Sequence, residues 1–222
     1  MTLKISRMSK YYAVKRGRIP GIYKTWSECR RQTDGYSGAV FKSFKTESDA
    51  KSFCGLESKS EVSDFDDVLE IFTDGSHEKT GTKMGYGIMF RYMGQEFGVS
   101  RYPITTEDLQ IMFGGTFKTV SNPTMEFAAV AHALHLANVK FKQARRIHIT
   151  YDYIGPVNWI TGTWSCKQPH IKHIHKFALA EIQNLKDTEI TWEHVKSHSG
   201  HRENEIADLL ATGIWPYDLM SL

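Results

Sequence analysis

Val68-Leu69-Glu70-Ile71-Phe72-Thr73-Asp74 is a mostly apolar, β-rich run that closes on an acid. Its composition and length read as a buried strand with Asp74 at the carboxyl end. Ile147-His148-Ile149-Thr150-Tyr151 alternates and is followed directly by Asp152. Two more acids interrupt apolar stretches: Glu126 in Met125-Glu126-Phe127-Ala128-Ala129-Val130, and Asp208 in Ile206-Ala207-Asp208-Leu209-Leu210-Ala211. Taken singly, each is most simply a cap, a turn residue or part of a solvated face, since Asp and Glu are mostly exposed. A carboxylate carried into a core is costly unless a positive charge compensates it. Four of them, on four separate elements, ask for a common counter-charge, and hard oxygen ligands suit a divalent cation.

Outward from the first run, residues 86–93 and 96–102 read as strands joined by a tight turn at Gly94-Gln95, which implies antiparallel pairing. A helical piece over 106–113 precedes Gly114-Gly115. Asn122 as N-cap and Pro123 at the first position open a helix over 123–138. Then follow a strand (146–151), a short helix (156–164), a helix (169–184), a strand (189–196) and a last helix (203–212). This β-β-β-α-β-α-α-β-α order predicts an α/β fold, a mixed five-stranded sheet flanked by helices. If the strands ending at Asp74 and Asp152 are adjacent and parallel, both acids meet in one crevice at the strands' carboxyl ends. Carboxylates holding two divalent ions suit in-line phosphodiester attack. No P-loop motif is present, which disfavours nucleotide hydrolysis of that kind.

Residues 55–67 are polar and rich in Ser and acid, and read as a linker. They divide a domain over 1–54 from one over 68–222. The first carries twelve Lys/Arg against four Asp/Glu, a net +8, whereas residues 55–222 carry a net −5. Such asymmetry suits a basic module that meets a polyanion. Strands over 11–17, 21–26 and 39–44, a capped short helix over 27–31 and a second helix opening at Thr46 make it a small α+β module. Three scattered cysteines, Cys29, Cys54 and Cys166, read as reduced thiols. A cytoplasmic location is expected, with nucleus or organelle left open. No apolar run reaches the length of a membrane span, and the N-terminus lacks the apolar core of a secretory signal.

The motifs Thr73-Asp74-Gly75-Ser76, Met125-Glu126, Tyr151-Asp152, His194-Val195-Lys196-Ser197-His198-Ser199-Gly200-His201 and Glu203-Asn204-Glu205-Ile206-Ala207-Asp208 resemble ribonuclease HI over essentially all of residues 67–213. The last block is highly specific; a lone Thr-Asp-Gly-Ser would be weak. The resemblance implies an endonuclease that cuts the RNA strand of RNA/DNA hybrids by a two-metal-ion mechanism, giving 5′-phosphate products. Asp74, Glu126, Asp152 and Asp208 would bind two Mg²⁺ ions, with Mn²⁺ as substitute. His198 would assist proton transfer or product release, and Asn204 would help orient metal-bound water. Gly75, Ser76 and Asn122 would line the hybrid's minor groove, where 2′-hydroxyls mark the RNA strand; Asn122 reads equally as a plain cap. Trp159 and Trp164 would cradle the DNA strand, with core packing a near-equal alternative.

Tyr12-Ala13-Val14-Lys15-Arg16-Gly17, Thr25-Trp26-Ser27-Glu28-Cys29 and Phe41-Lys42-Ser43-Phe44 resemble the hybrid-binding, viroplasmin-type domain that precedes this nuclease in many enzymes. Tyr12, Trp26, Phe41 and Lys42 would then bind the hybrid and aid processivity, Trp26 and Phe41 by stacking on sugars and Lys42 on phosphate. A core role for Trp26 and Phe41 is the alternative. Weaker binding of double-stranded RNA and a monomeric state are also expected. Ser43 stands where the family often has a second lysine. The stretch between Asp152 and Trp159 is about one helical turn shorter than usual, and the basic handle after it is abbreviated. The 104–115 stretch is an insertion. His170, His173 and His175 read as solvated helix before they read as a metal site. A transposase or integrase would lack the His198 block. A proofreading exonuclease would want an acid where Ser76 stands, and a non-catalytic binding protein would not need all four acids.

Overall fold

In the computed structural model, which describes residues 10–54, 67–78, 83–196, 200–216 and 219–222, residues 1–61 and 62–222 form two separate units. The first contains β1 (Tyr11–Arg16), β2 (Gly21–Tyr23), α1 (Trp26–Thr33), β3 (Val40–Phe44) and α2 (Glu47–Cys54). Its antiparallel sheet runs β2-β1-β3. α1 is longer than 27–31 because Thr25 supplies the cap: its hydroxyl accepts from the Glu28 N–H, and the Glu28 carboxylate accepts from the Thr25 N–H. That cap also ends β2 early, at Tyr23. One sheet face packs Val14 and Tyr23 against Cys29 of α1. On the other, Phe53 of α2 meets Phe44 and the Lys15 ammonium.

The second unit contains β4 (Val68–His77), β5 (Met84–Tyr92), β6 (Gln95–Arg101), α3 (Thr106–Phe113), α4 (Asn122–Lys140), β7 (Arg146–Tyr151), α5 (Gly155–Ile160), α6 (Pro169–Asn184), β8 (Glu189–His194), α7 (Arg202–Ala211) and β9 (Met220–Ser221). The sheet has six strands, not five, in the order β8-β7-β4-β5-β6-β9. The extra strand is two residues paired with Phe97 and Gly98 of β6, too short to carry an alternating pattern. The hairpin turn is Met93-Gly94, both with positive φ, because Gln95 already pairs with Tyr92. β4 and β7 are adjacent and parallel, with Thr73 opposite Tyr151. The residues that follow are Asp74, three residues before the end of β4 and so not at the strand end expected for it, and Asp152, just past the end of β7. None of the three cysteines is disulfide-bonded.

The two faces of this sheet are covered differently. α4 is buried continuously from Thr124 to Leu134, which explains why its sequence lacks a polar stripe. It lies in the main core with Leu69, Ile71, Ile88 and Ile149. The insertion supplies α3, capped by Thr105 and Asp108, whose Phe113 packs edge-on against Phe177 of α6 at 5.1 Å. On the opposite face α7 packs Ile206, Ala207 and Leu210 on Phe72 and Met89. Its backbone comes so close that a Cβ on Gly87 would stand 2.1 Å from the Ala207 carbonyl oxygen. His170 departs from the solvated reading: it is buried, with Nε2 3.4 Å from the Thr124 hydroxyl. Its neighbour His173 is half-buried, packed beneath Gly115.

A second buried imidazole gives a pH test of the core. His132 lies 3.0 Å from the Tyr86 hydroxyl. Burial, joined by the nearby charges of Arg101 and His135, pushes its pKa down to about 3. In the unfolded chain the ring gains its proton near pH 6.5, while the folded protein resists it until near 3. Stability contributed by the neutral ring is therefore lost as the pH falls through that window, at up to ~1.4 kcal/mol per pH unit. His132→Gln is expected to flatten the acid limb of a urea-denaturation stability profile relative to wild type. Parallel profiles would contradict this assignment.

Candidate active site

The β4–β7 ladder delivers Asp74 and Asp152 side by side. The first turns of α4 bring Glu126 against them, because Gly75 has no side chain: a Cβ there would lie 2.3 Å from the Glu126 amide nitrogen. One oxygen from each of Asp74, Glu126 and Asp152 lies within 4.8 Å of the others, the one such cluster of potential metal ligands found among the described residues. Asp208 lies near enough to Asp74 to raise its pKa and lines the same crevice of ≈ 320 Å³, although it stands outside that three-residue set.

Asp74 and Glu126 are buried, whereas Asp152 is partly exposed. Burial raises the Asp74 pKa well above the ordinary carboxylate value, and the charges of Asp152 and Asp208 raise it further. Burial likewise raises Glu126, helped by Asp74 and Asp152. Hydrogen bonding from Gly75 and from the Asn122 amide, whose Nδ2 donates to Glu126 Oε1 at 3.1 Å, offsets only part of this. The protein has thus gathered negative charge without an adequate counter-charge of its own. Asn204 adds a second sign: it is buried on the same crevice, and its Oδ1 has no hydrogen-bond partner among the described residues. Hard oxygen donors in excess, plus a vacant buried acceptor, fit a hydrated divalent cation.

Asn122 is not the cap of α4. Ser121 is, and the shift of one position turns the Asn122 side chain toward Glu126. Gly75 lines the crevice, and Ser76 is half-buried one residue further along β4. Trp159 packs at 5.2 Å on Phe127 of the core and at 6.2 Å on Trp164, which is 39% exposed. His198 falls outside the described residues, as does the linker up to residue 66. Tyr153, His201 and Glu205 also line the crevice and had been assigned no role. Their signal was adjacency: Tyr153 follows Asp152, and Glu205 is three residues before Asp208 on the same helix face.

In the first unit, Tyr12, Trp26 and Phe41 form a continuous aromatic row, with ring centroids 5.7 and 5.8 Å apart. Trp26 is 47% and Phe41 42% exposed, so neither is a core residue. Lys42 is exposed, its ammonium 5.6 Å over Phe44. Ser43 pairs with Tyr12 in the sheet.

A mixed α/β sheet with an acidic crevice beside its parallel strand pair fits an enzyme that works with a bound divalent cation. Residues 66–214 match the family model described as RNase H, and residues 10–54 match the model described as Ribonuclease H1 N-terminal domain. The chain belongs to the ribonuclease H family, divalent-metal-dependent enzymes acting on RNA/DNA hybrids. It is 33% identical over 148 residues to a ribonuclease H of Actinobacillus pleuropneumoniae, a match covering 65% of this chain and 88% of that protein. Over 51 residues it is 51% identical to a ribonuclease H of Saccharomyces cerevisiae, a match covering 23% of this chain but 15% of the yeast protein. The solved N-terminal RNase H domain of a Mycobacterium tuberculosis protein shares the fold, with a TM-score of 0.50 at 18% identity, covering 67% of this chain and 99% of that one.

Proposed function

We propose that this chain is an endonuclease that hydrolyses the RNA strand of RNA/DNA hybrids by a two-metal-ion reaction, leaving 5′-phosphate products. The observation that carries the reading is the set of three carboxylates, from β4, from the first turns of α4 and from just past β7, with oxygens within 4.8 Å of one another. Asp74, Glu126 and Asp152, with Asp208 beside Asp74, would hold two Mg²⁺ ions, for which Mn²⁺ substitutes. Bound there, divalent cations supply Lewis acidity for in-line phosphodiester hydrolysis.

The chain's own residues supply placement. The β4–β7 ladder fixes Asp74 beside Asp152, and Asn122 holds the Glu126 carboxylate by its amide. Asn204 offers its unpartnered oxygen to a water in the crevice. Gly75, Ser76 and Asn122 are assigned to the minor-groove face, Trp159 and Trp164 to the DNA strand, and His198 to proton transfer or product release. The aromatic row Tyr12–Trp26–Phe41, with Lys42, is assigned to hybrid binding and processivity, with double-stranded RNA a weaker ligand. A monomer in a reducing, cytoplasmic setting completes the reading; no described helix is long and apolar enough to cross a membrane.

The decisive assay compares labelled hybrid, duplex RNA and duplex DNA in Mg²⁺. Cleavage confined to the RNA strand of the hybrid is expected, and intact hybrid under conditions where binding is measurable would refute the proposal. Within the first unit, Trp26→Ala is expected to weaken hybrid binding about 10–100-fold, the worth of one lost stacking contact. Turnover at saturating hybrid should be retained. Fluorescence anisotropy reads the affinity, and an unchanged Kd would remove Trp26 from the interface.

A further inference from the structure

Three of the four acids are held by the sheet or against it. Asp74 lies in β4 and Asp152 directly follows its partner strand β7, and Glu126 is pressed onto Gly75. Asp208 alone depends on how α7 lies along its face of the sheet. That face presents Gly85 and Gly87, where the helix backbone comes within 2.7 and 2.1 Å of a would-be Cβ. Such a surface allows close approach but offers few side chains to stop a helix from sliding along its own axis.

The stops are at the first two residues of α7. Glu203 Oε1 accepts from Nη1 of Arg91 on β5 at 2.7 Å. The same guanidinium donates to both oxygens of Glu70 on β4, at 2.6 and 3.0 Å, and lies over Phe72, two residues before Asp74. Arg202 reaches the other way and donates to both oxygens of Glu96 on β6, at 2.8 and 2.9 Å. The polarity alternates: the helix offers an acid to a basic sheet residue and a base to an acidic one. Exchanging partners would set Arg202 against Arg91 and Glu203 against Glu96. Arg202, Glu203 and Glu96 are 14%, 20% and 23% exposed, and a forked, part-buried pair such as Arg202–Glu96 is stronger and more directional than a surface pair.

We propose that the Arg91–Glu203 and Arg202–Glu96 pairs are positioning devices that fix the axial register of α7 and so hold Asp208 against Asp74. The inference rests on the reaction proposed above. A slip of one residue moves the helix by about 1.5 Å, and an error near 1 Å in a reacting group can reduce turnover by about 10²-fold.

The test is Glu203→Gln, nearly isosteric, against Glu70→Gln, which loosens the same arginine on its sheet side only. For Glu203→Gln we expect kcat on saturating hybrid to fall roughly 10-fold, about 1.4 kcal/mol, with KM unchanged. Calorimetric titration of Mn²⁺ into the substrate-free protein should show several-fold weaker binding. Glu70→Gln should lose as much or more thermal stability yet keep kcat within about twofold and bind Mn²⁺ as wild type does. If circular dichroism shows Glu203→Gln unfolded, Arg91→Lys, which keeps the charge but not the fork, takes its place with the same expectations. Losses of kcat that track losses of Tm in both variants would overturn the proposal, as would wild-type kcat and Mn²⁺ affinity in Glu203→Gln. A wild type that leaves the hybrid intact would refute the reaction instead, and the calorimetric comparison would still decide the clamp.

Discussion

Asp74→Asn is expected to abolish hybrid cleavage and, in EDTA, to make the protein more stable than wild type. The first effect follows from removing the acid at the centre of the cluster: the charges of Asp152 and Asp208 raise its pKa, and its own charge raises that of Glu126. A loss of at least ~10³-fold, about 4 kcal/mol of transition-state stabilisation, is expected. The second follows from the raised pKa. A carboxyl whose folded pKa lies above its unfolded value stabilises the fold only when protonated, and that contribution is lost as the pH rises through the folded pKa. An amide in the same place has nothing to ionise. The gain should therefore grow with pH, to about 1–2 kcal/mol, or roughly 2–8 °C in Tm for a unit of this size. Saturating Mg²⁺ should raise the wild-type Tm and move the variant little, because only the wild type keeps the full ligand set. Asp152→Asn is the useful contrast: Asp152 is partly exposed, so it should lose cleavage without a comparable gain. Equal or lower stability of Asp74→Asn in EDTA at pH 8 would show that the buried charge is compensated within the protein.

Gly75→Ala is expected to be the most damaging single methyl group in the second unit's site. The added carbon would stand 2.3 Å from the Glu126 nitrogen, 2.6 Å from the Met125 carbonyl carbon and 2.8 Å from the Glu126 Cα. All three are backbone atoms, so no rotamer change relieves the collision, and β4 must part from the first turns of α4. Overpacking against movable side chains costs about 1–3 kcal/mol; here at least ~3 kcal/mol is expected, a Tm drop of roughly 6–12 °C. The same displacement separates Asp74 from Glu126, so cleavage should fall even at temperatures where the variant is folded. Thermal denaturation and hybrid cleavage at 20 °C check both, and a Tm within 2 °C of wild type would sink the packing argument.

What the chain's letters disclosed, and what they withheld, divides along physical lines. The end of β7 before Asp152 was legible from the alternating run 147–151, but the strand expected to end at Asp74 continues to His77, because Gly75, Ser76 and His77 still pair with β5. The parallel β4–β7 pairing brings Asp74 and Asp152 together. Glu126 was legible as an anomaly in an apolar helix, but not its partner: the N-cap expected at Asn122 is Ser121, and both are good capping residues. β9 was invisible because two residues carry no period. The burial of His170 is not legible because what covers it, the Phe117 ring and the Thr124 hydroxyl, comes from segments remote in sequence. The ion pairs of Arg91 and Arg202 join residues 112 and 106 positions apart, a separation at which one sequence offers no signal.

The two outer strands of the six-stranded sheet meet their surroundings by different means. β9 lies along β6, and the Leu222 N–H donates to the Gly98 carbonyl, so β6 is covered by hydrogen-bonded backbone and the outer strand there is two residues long. β8 has no such neighbour among the described residues, and its exposed positions include Glu189 and Glu193. Acidic side chains along a bare edge discourage another copy's strand from adding to it. One guard is steric and indifferent to ionic strength; the other is electrostatic and fades within a few ångströms at molar salt. The edge of β8 therefore relies on charge where that of β9 relies on shortness, and molar salt is expected to weaken the first guard and leave the second.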